Sequence, residues 1–142
     1  MKWVTREKPK VDRVACPWLI KNFVDQDAEF LFVPSDMVLE TAEEKDATPF
    51  DIPDVELGHH DGQCTFEAIV AKYDLTDPGL HLLSRIVHGA DTADHDYTPQ
   101  SPGLRAISQG WHLLDLSLER RLEIGFAVYD CLYAWCKSET TG

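Results

Sequence analysis

Residues that can bind a divalent metal are concentrated in one short stretch of the sequence, from position 56 to position 67. Imidazole, thiol and carboxylate side chains occur there within twelve positions, and all three groups coordinate divalent metals. They are Glu56, His59, His60, Asp61, Cys64 and Glu67. Glycines at positions 58 and 62 favour a tight loop in which these side chains converge.

A second pair of such residues lies further along the chain. His88 and Asp91 are three positions apart, so a helix places both on one side near its end. A mixed set of nitrogen and oxygen ligands suits Zn²⁺, Fe²⁺ or Mn²⁺. We therefore predict one divalent metal ion, with a first set of ligands and three alternatives. The first set is His59, Glu67, His88 and Asp91, and the alternatives are His60, Cys64 and Asp130.

The same residues also have structural interpretations that need no metal. Glu67 falls in the first turn of a predicted helix, where the helix dipole favours an acid. Asp61 and Asp91 are of a residue type that favours turns and helix caps. His88 falls on the polar side of its helix, and contact of that side with solvent would explain a polar residue there without a metal. There is no paired Cys-x-x-Cys pattern that would decide between the two interpretations.

The N-terminal segment suggests a different chemistry, because its charge is opposite to that of the rest. Residues 1–21 hold six basic and two acidic residues, while the other 121 hold seven basic and 23 acidic ones, for a total of −12. The basic side chains near the start of the predicted first helix are Arg6, Lys8, Lys10 and Arg13. Helix starts and arginines bind oxyanions, and a thiol in such a place is reactive. The alternative prediction is an oxyanion-binding or thiol-redox site at Arg6, Arg13 and Cys16.

Charge and hydropathy exclude several classes of protein. The 121 residues after position 21 carry a charge of −16 (7 − 23) and repel the phosphate backbone of nucleic acids, so direct nucleic-acid binding is not expected. No apolar run reaches the roughly 18 residues of a membrane span, and the first residues lack the apolar region of a secretory signal. Four scattered cysteines do not form a disulfide framework. We expect a cytoplasmic protein with a small-molecule or oxyanion ligand, or else an acidic interaction module without site chemistry.

Hydrophobic periodicity predicts a single α+β domain over residues 1–142, mostly helical, with a small N-terminal sheet. The predicted elements are a strand at 3–6, a helix at 12–24, a strand at 29–33, a helix at 35–45, an extended segment at 48–57 and helices from 65 onward. Because Pro17 lies within the first of these helices, its regular turn is expected to start near Cys16.

The last helix, predicted from Glu119 to Lys137, is apolar on two sides. Such a helix is normally central to a fold, and we expect Cys131 and Cys136 to lie in the core. A narrow polar seam separates the two apolar faces and contains Asp130. A carboxylate in that position needs a partner or a metal.

Several runs of residues resemble the C-terminal domain of the ChrB-type chromate-resistance family. They are DRVACPWLI (12–20), FLFVP (30–34), PFDI (49–52), ELGH (56–59), CTFE (64–67), IVHGAD (86–91) and YDCLYA (129–134). The resemblance covers nearly the whole chain and implies a role linked to chromate resistance. In longer members this domain follows an N-terminal part associated with gene regulation, so the resemblance implies no DNA-binding role for these residues. It carries over no catalytic assignment.

Overall fold

The structure, a computed structural model, describes residues 1–7, 11–92 and 97–141. Lys8 and Lys10 of the basic segment lie outside these ranges. The helices and strands within them are β1 (Lys2–Arg6), α1 (Asp12–Leu19), β2 (Glu29–Val33), α2 (Val38–Lys45), β3 (Ala47–Pro49), α3 (Thr65–Lys72), α4 (Pro78–Asp91), α5 (Ser101–Leu113) and α6 (Leu118–Thr140).

The N-terminal strand β1 is the middle strand of a parallel sheet with the order β2-β1-β3. Parallel neighbours need crossover connections, which here contain α1 and α2. Successive side chains of a strand point to opposite faces, so Trp3 enters the main core while Val4 packs with Val38 and Ile52 in a smaller core. The sheet is therefore covered on both faces, as parallel sheets usually are.

The main core lies among the helices that follow. α4 packs against α3, α5 and α6, and α1 packs against α3 and α6. The largest fully buried side chains of this core come from nearly every part of the chain, and include Trp3, Trp18, Phe50, Phe66, Leu83 and Tyr129. A mostly helical body on a small N-terminal sheet confirms the predicted α+β fold. No helix in the described ranges is both long enough and apolar enough to cross a membrane.

The first helix begins at its predicted residue, Asp12, but its regular turns start earlier than predicted. α1 starts at Asp12 and contains Pro17, whereas the sequence analysis placed the first regular turn near Cys16. A proline removes one backbone donor, but Val14 and Ala15 in the preceding turn are fully buried and hold that turn against the core. The helix then widens into a π-helical turn over Ile20–Val24.

The last helix packs against α4 and α1, as a central helix should, but only one of its two apolar sides is fully covered. Tyr129 and Cys136 are buried, and burial raises the pKa of the Cys136 thiol to about 11. Cys131 and Trp135 on the other apolar side are exposed, so the prediction was right for Cys136 and wrong for Cys131. The reason is that α5 packs mainly on α4.

A groove remains between α5 and α6. Its volume is about 870 Å³, and its walls are mostly apolar. The α5 wall includes Leu104 and Ile107, and the α6 wall includes Ile124, Val128 and Cys131. The second apolar face of α6, evident in the sequence, thus lines a surface groove in place of a second core.

Close contact between α6 and α1 depends on Gly125. A Cβ atom added there would overlap Cγ1 of Val14 in α1, whereas one added at Gly110 in α5 would meet nothing within 4 Å. We expect Gly125→Ala to lower the free energy of unfolding by about 1–3 kcal/mol, because overpacking forces the helices apart. The matched control Gly110→Ala should leave stability unchanged or raise it by up to about 1 kcal/mol through helix propensity. Urea denaturation of both variants measures the difference, and equal stabilities would contradict this packing.

Candidate functional site

The candidate site is built on the loop between β3 and α3. Asp51, Asp54 and Asp61 in this loop have left-handed backbone conformations, with φ of 53°, 64° and 53°, which aspartate tolerates better than most residues. The amide of Asp51 donates to the carbonyl of Leu57 at 2.8 Å and closes the first half of the loop. The loop ends at Cys64, the N-cap of α3, so its residues lie beside the start of that helix.

Three side chains from α3 and α4 converge at this helix start. One potential ligand atom each from Cys64, Glu67 and His88 lies within 4.8 Å of the other two. Nδ1 of His88 is 2.6 Å from Oε1 of Glu67. Cys64 and His88 are buried, while Glu67 is partly exposed. Sulfur, oxygen and nitrogen donors therefore meet at one point that solvent can reach through Glu67.

Two of these residues also cap α3. The backbone amide of Glu67 donates to the Cys64 side chain, and the Glu67 carboxylate accepts from the backbone amide of Cys64 at 2.9 Å. This reciprocal pair is a capping box, usually built from Ser or Thr with Glu. The structural role considered for Glu67 from the sequence is thus present, and it fixes Glu67 and Cys64 in the positions from which they face His88.

A metal ion would change the Glu67–His88 pair. Tetrahedral ligands at about 2.1 Å from zinc stand roughly 3.4 Å apart, so the two atoms now 2.6 Å apart must separate by a fraction of an ångström. The metal would replace the hydrogen bond between Nδ1 of His88 and Oε1 of Glu67, since metal ligands bind in their deprotonated forms. The helix dipole at the start of α3 favours a negatively charged thiolate at Cys64.

A second cluster lies next to the first and is centred on Asp51. This carboxylate is almost fully buried, and the hydroxyl of Thr65 donates to its Oδ1 at 2.8 Å. Nε of Arg13 lies 3.2 Å from its Oδ2, and Nε of Arg6 donates to its backbone carbonyl at 3.2 Å. Nε2 of His59 is 3.5 Å from Oδ1. Two guanidinium groups, a hydroxyl and an imidazole thus surround one buried carboxylate.

The structure divides the four predicted metal ligands between the two clusters. Glu67 and His88 lie together, and Cys64, an alternative ligand in the sequence analysis, completes their cluster. His59 instead bonds Asp91, with Nε2 2.8 Å from Oδ2. The clusters are nevertheless neighbours, because α4 carries both His88 and Asp91 and the start of α3 carries both Cys64 and Thr65.

The other two alternative ligands, His60 and Asp130, form hydrogen bonds with residues outside the ligand cluster. His60 is exposed, and its Nε2 is 2.9 Å from the carbonyl of Glu56. Asp130 on α6 accepts a hydrogen bond from the indole of Trp18 at 2.8 Å. The partner that the sequence required for Asp130 is therefore an aromatic N–H group.

The residues of the predicted oxyanion or thiol-redox site are not arranged as one open pocket. Arg6 and Arg13 both contact Asp51, which neutralises part of their charge. Cys16 is fully buried in α1.

Sequence analysis did not select Asp51 or Thr65, although both belong to runs quoted above. One signal was available, since Asp51 stands between Phe50 and Ile52 in a short apolar run. A carboxylate in a buried apolar segment needs partners. The identity of those partners depends on the left-handed turn at Asp51, which no local pattern predicts.

Removal of the negative charge of Asp51 should destabilise the fold. Asp51→Asn removes the negative charge that lies 3.2 Å from Nε of the buried Arg13, and breaking a buried ion pair costs about 3–5 kcal/mol. Asp54→Asn is a matched control, because Asp54 is also left-handed but exposed, and it should change stability by less than about 0.5 kcal/mol. Urea denaturation compares the two, and similar midpoints would contradict the central role of Asp51.

Thiol reactivity should separate the four cysteines. Cys131 is exposed and the other three are buried, and the raised pKa of Cys136 further lowers its thiolate fraction at neutral pH. We expect a maleimide to label the folded protein rapidly at Cys131 alone, and Cys131→Ser to abolish the rapid phase. Mass spectrometry of labelled peptides identifies the site, and rapid labelling of Cys16 would instead support thiol-redox chemistry in α1.

Comparison with known proteins gives the family. The profile of the family described as ChrB, C-terminal domain, matches residues 3–136. Protein ChrB of Cupriavidus metallidurans is 34% identical over 111 residues, which cover 76% of this chain and 32% of that protein. The chain thus spans about a third of the length of this curated relative. No solved structure matches. The chain belongs to the ChrB C-terminal domain family.

Proposed function

We propose that this chain is the metal-binding domain of a chromate-response protein, and that it holds one divalent ion at Cys64, Glu67 and His88. The observation that supports this proposal is the convergence of three different donor atoms within 4.8 Å. Three protein ligands leave one coordination position for an exchangeable ligand, as in catalytic and sensing sites. The link to chromate rests on the family resemblance.

The donor types favour zinc among the three metals considered from the sequence. A thiolate is a soft ligand and suits Zn²⁺ better than Mn²⁺, whereas imidazole and carboxylate accept Zn²⁺, Fe²⁺ and Mn²⁺ alike. The proposed set keeps Glu67 and His88 of the original four residues and adds Cys64. His59 and Asp91 are then not ligands. They contact each other next to Asp51 and help to hold the loop between β3 and α3 in place.

The two other functions considered from the sequence have less support. An oxyanion or redox site at Cys16 requires a reachable thiol, and Cys16 is fully buried. In an interaction module without site chemistry, the capping box would account for Cys64 and Glu67 but not for the buried His88 that joins them. The groove between α5 and α6 is compatible with a metal-binding function and with an interaction module, because it lies on other helices than the ligand cluster.

Cobalt binding provides a direct test. Co²⁺ replaces Zn²⁺ in most sites and reports a thiolate ligand by a charge-transfer absorption band. We expect one equivalent of Co²⁺ to bind with this band, and Cys64→Ser to abolish the band and to weaken binding at least about tenfold. Serine is a favourable N-cap, so this variant keeps the helix start. Glu67→Gln retains the capping box and should also weaken binding.

Two controls accompany the measurement. Cys131→Ser removes an exposed thiol outside the cluster and should leave both the band and the affinity unchanged. Elemental analysis of protein purified without a histidine tag gives the metal present after expression. If Cys64→Ser binds Co²⁺ with the parent's affinity and spectrum, the proposed site is wrong.

A further inference from the structure

Exposed apolar side chains are concentrated on the surface formed by α5, α6 and the turn between them. Most of the large apolar side chains that are exposed in the described ranges lie there. The groove between α5 and α6 runs along the same surface, which we call the groove face. Apolar surface gathered in this way marks an interaction site. The exposed residues are Ile107, Leu113, Leu114, Leu118 and Trp135.

The groove carries no net charge, unlike the chain as a whole. Among the described residues that line it, the charged ones are Arg120 and Glu123, and these two form an ion pair within α6. The full chain has a charge of −12, so two copies repel each other over much of their surfaces. At the groove this repulsion is small, and a second copy can approach there.

The outer side of α6 combines a large side chain with a small one. Ala127, Cys131 and Trp135 are four residues apart and therefore share one side of the helix, and all three are exposed. Because Cys131 is halfway between the other two, an antiparallel pair of α6 helices that crosses at Cys131 sets each Trp135 opposite the Ala127 of the other copy. Gly103 of α5 adds room in the groove, since a Cβ atom added there would meet nothing within 4 Å.

The groove face is large enough for a small specific interface. α6 has 23 residues and α5 has 13, so at 1.5 Å per residue their lengths are about 34 Å and about 20 Å. With a helix width of about 10 Å, the two helices together offer roughly 500 Å² per copy. A pair of copies would bury roughly 1,000 Å², which is the lower limit for a specific interface.

We propose that the groove face is the interface of a homodimer, in which α6 of one copy lies antiparallel to α6 of the other and the two-fold axis passes near Cys131. A two-fold axis makes each contact occur twice, so both Trp135 side chains are covered. The dimer is weak, because its interface is small. This inference does not depend on the proposed metal site, whose ligands lie at the start of α3 and on α4.

The test measures the molar mass of the full chain by analytical ultracentrifugation, at concentrations up to about 1 mM because small interfaces associate weakly. We expect an equilibrium between monomer and dimer. Ala127→Glu should weaken the dimer about tenfold or more, because it sets a carboxylate against the Trp135 indole of the other copy. Trp135→Lys should weaken it similarly. The double variant should regain part of the affinity, because each glutamate then faces a lysine across the interface.

Ala71→Glu is the matched control. Ala71 is an exposed alanine on α3, and its substitution adds the same charge away from the groove face, so the dimer should be unchanged. A short bismaleimide should link two copies of the parent through Cys131, and Cys131→Ser should abolish the link. A parent chain that stays monomeric over the whole range overturns the proposal. A dimer that both single variants leave intact also overturns it, and no recovery in the double variant overturns the antiparallel arrangement.

Discussion

The carboxylate of Asp51 joins parts of the chain that are far apart in sequence. Arg6 is the last residue of β1, Arg13 lies in the first turn of α1, and Thr65 is the first residue of α3. All three side chains contact Asp51. The buried Arg13 and Thr65 gain an acceptor in this carboxylate, which offsets the cost of burying a guanidinium or a hydroxyl. The position of the loop between β3 and α3 depends on this network, and so does the start of α3.

The proposed metal ligands gain their positions from the same elements. Cys64 precedes Thr65, and His88 lies one turn before Asp91 on α4, so the Asp51 network and the ligand cluster share two helix ends. The capping box adds a second restraint, because it fixes Cys64 and Glu67 relative to each other before any ion binds. Such prior fixing of ligands lowers the cost of binding. The site is built from ordinary helix-end interactions and one buried charge.

The sequence predicted the elements better than the site. Strand β2 was predicted with its observed limits, and Glu67 and His88 were selected because metal-ligand residue types stood out locally. His59 was grouped with them because it is close in sequence, but the left-handed turn at Asp51 directs the loop so that His59 meets Asp91. Cys131 was predicted to be buried because periodicity shows which face is apolar and cannot show whether another helix covers it. Both errors concern long-range packing.

The close approach of Gly125 to Val14 has a consequence for the order of events during synthesis. The first helix packs on both α3 and α6, and its contact with α6, the last helix, forms only when that helix has been made. The central strand of the sheet is likewise the first to emerge, and its neighbours follow later. Contacts of such long sequence separation form slowly, and unpaired early segments expose apolar surface meanwhile. The nascent chain therefore cannot complete its core on the ribosome before the C-terminal helix has emerged.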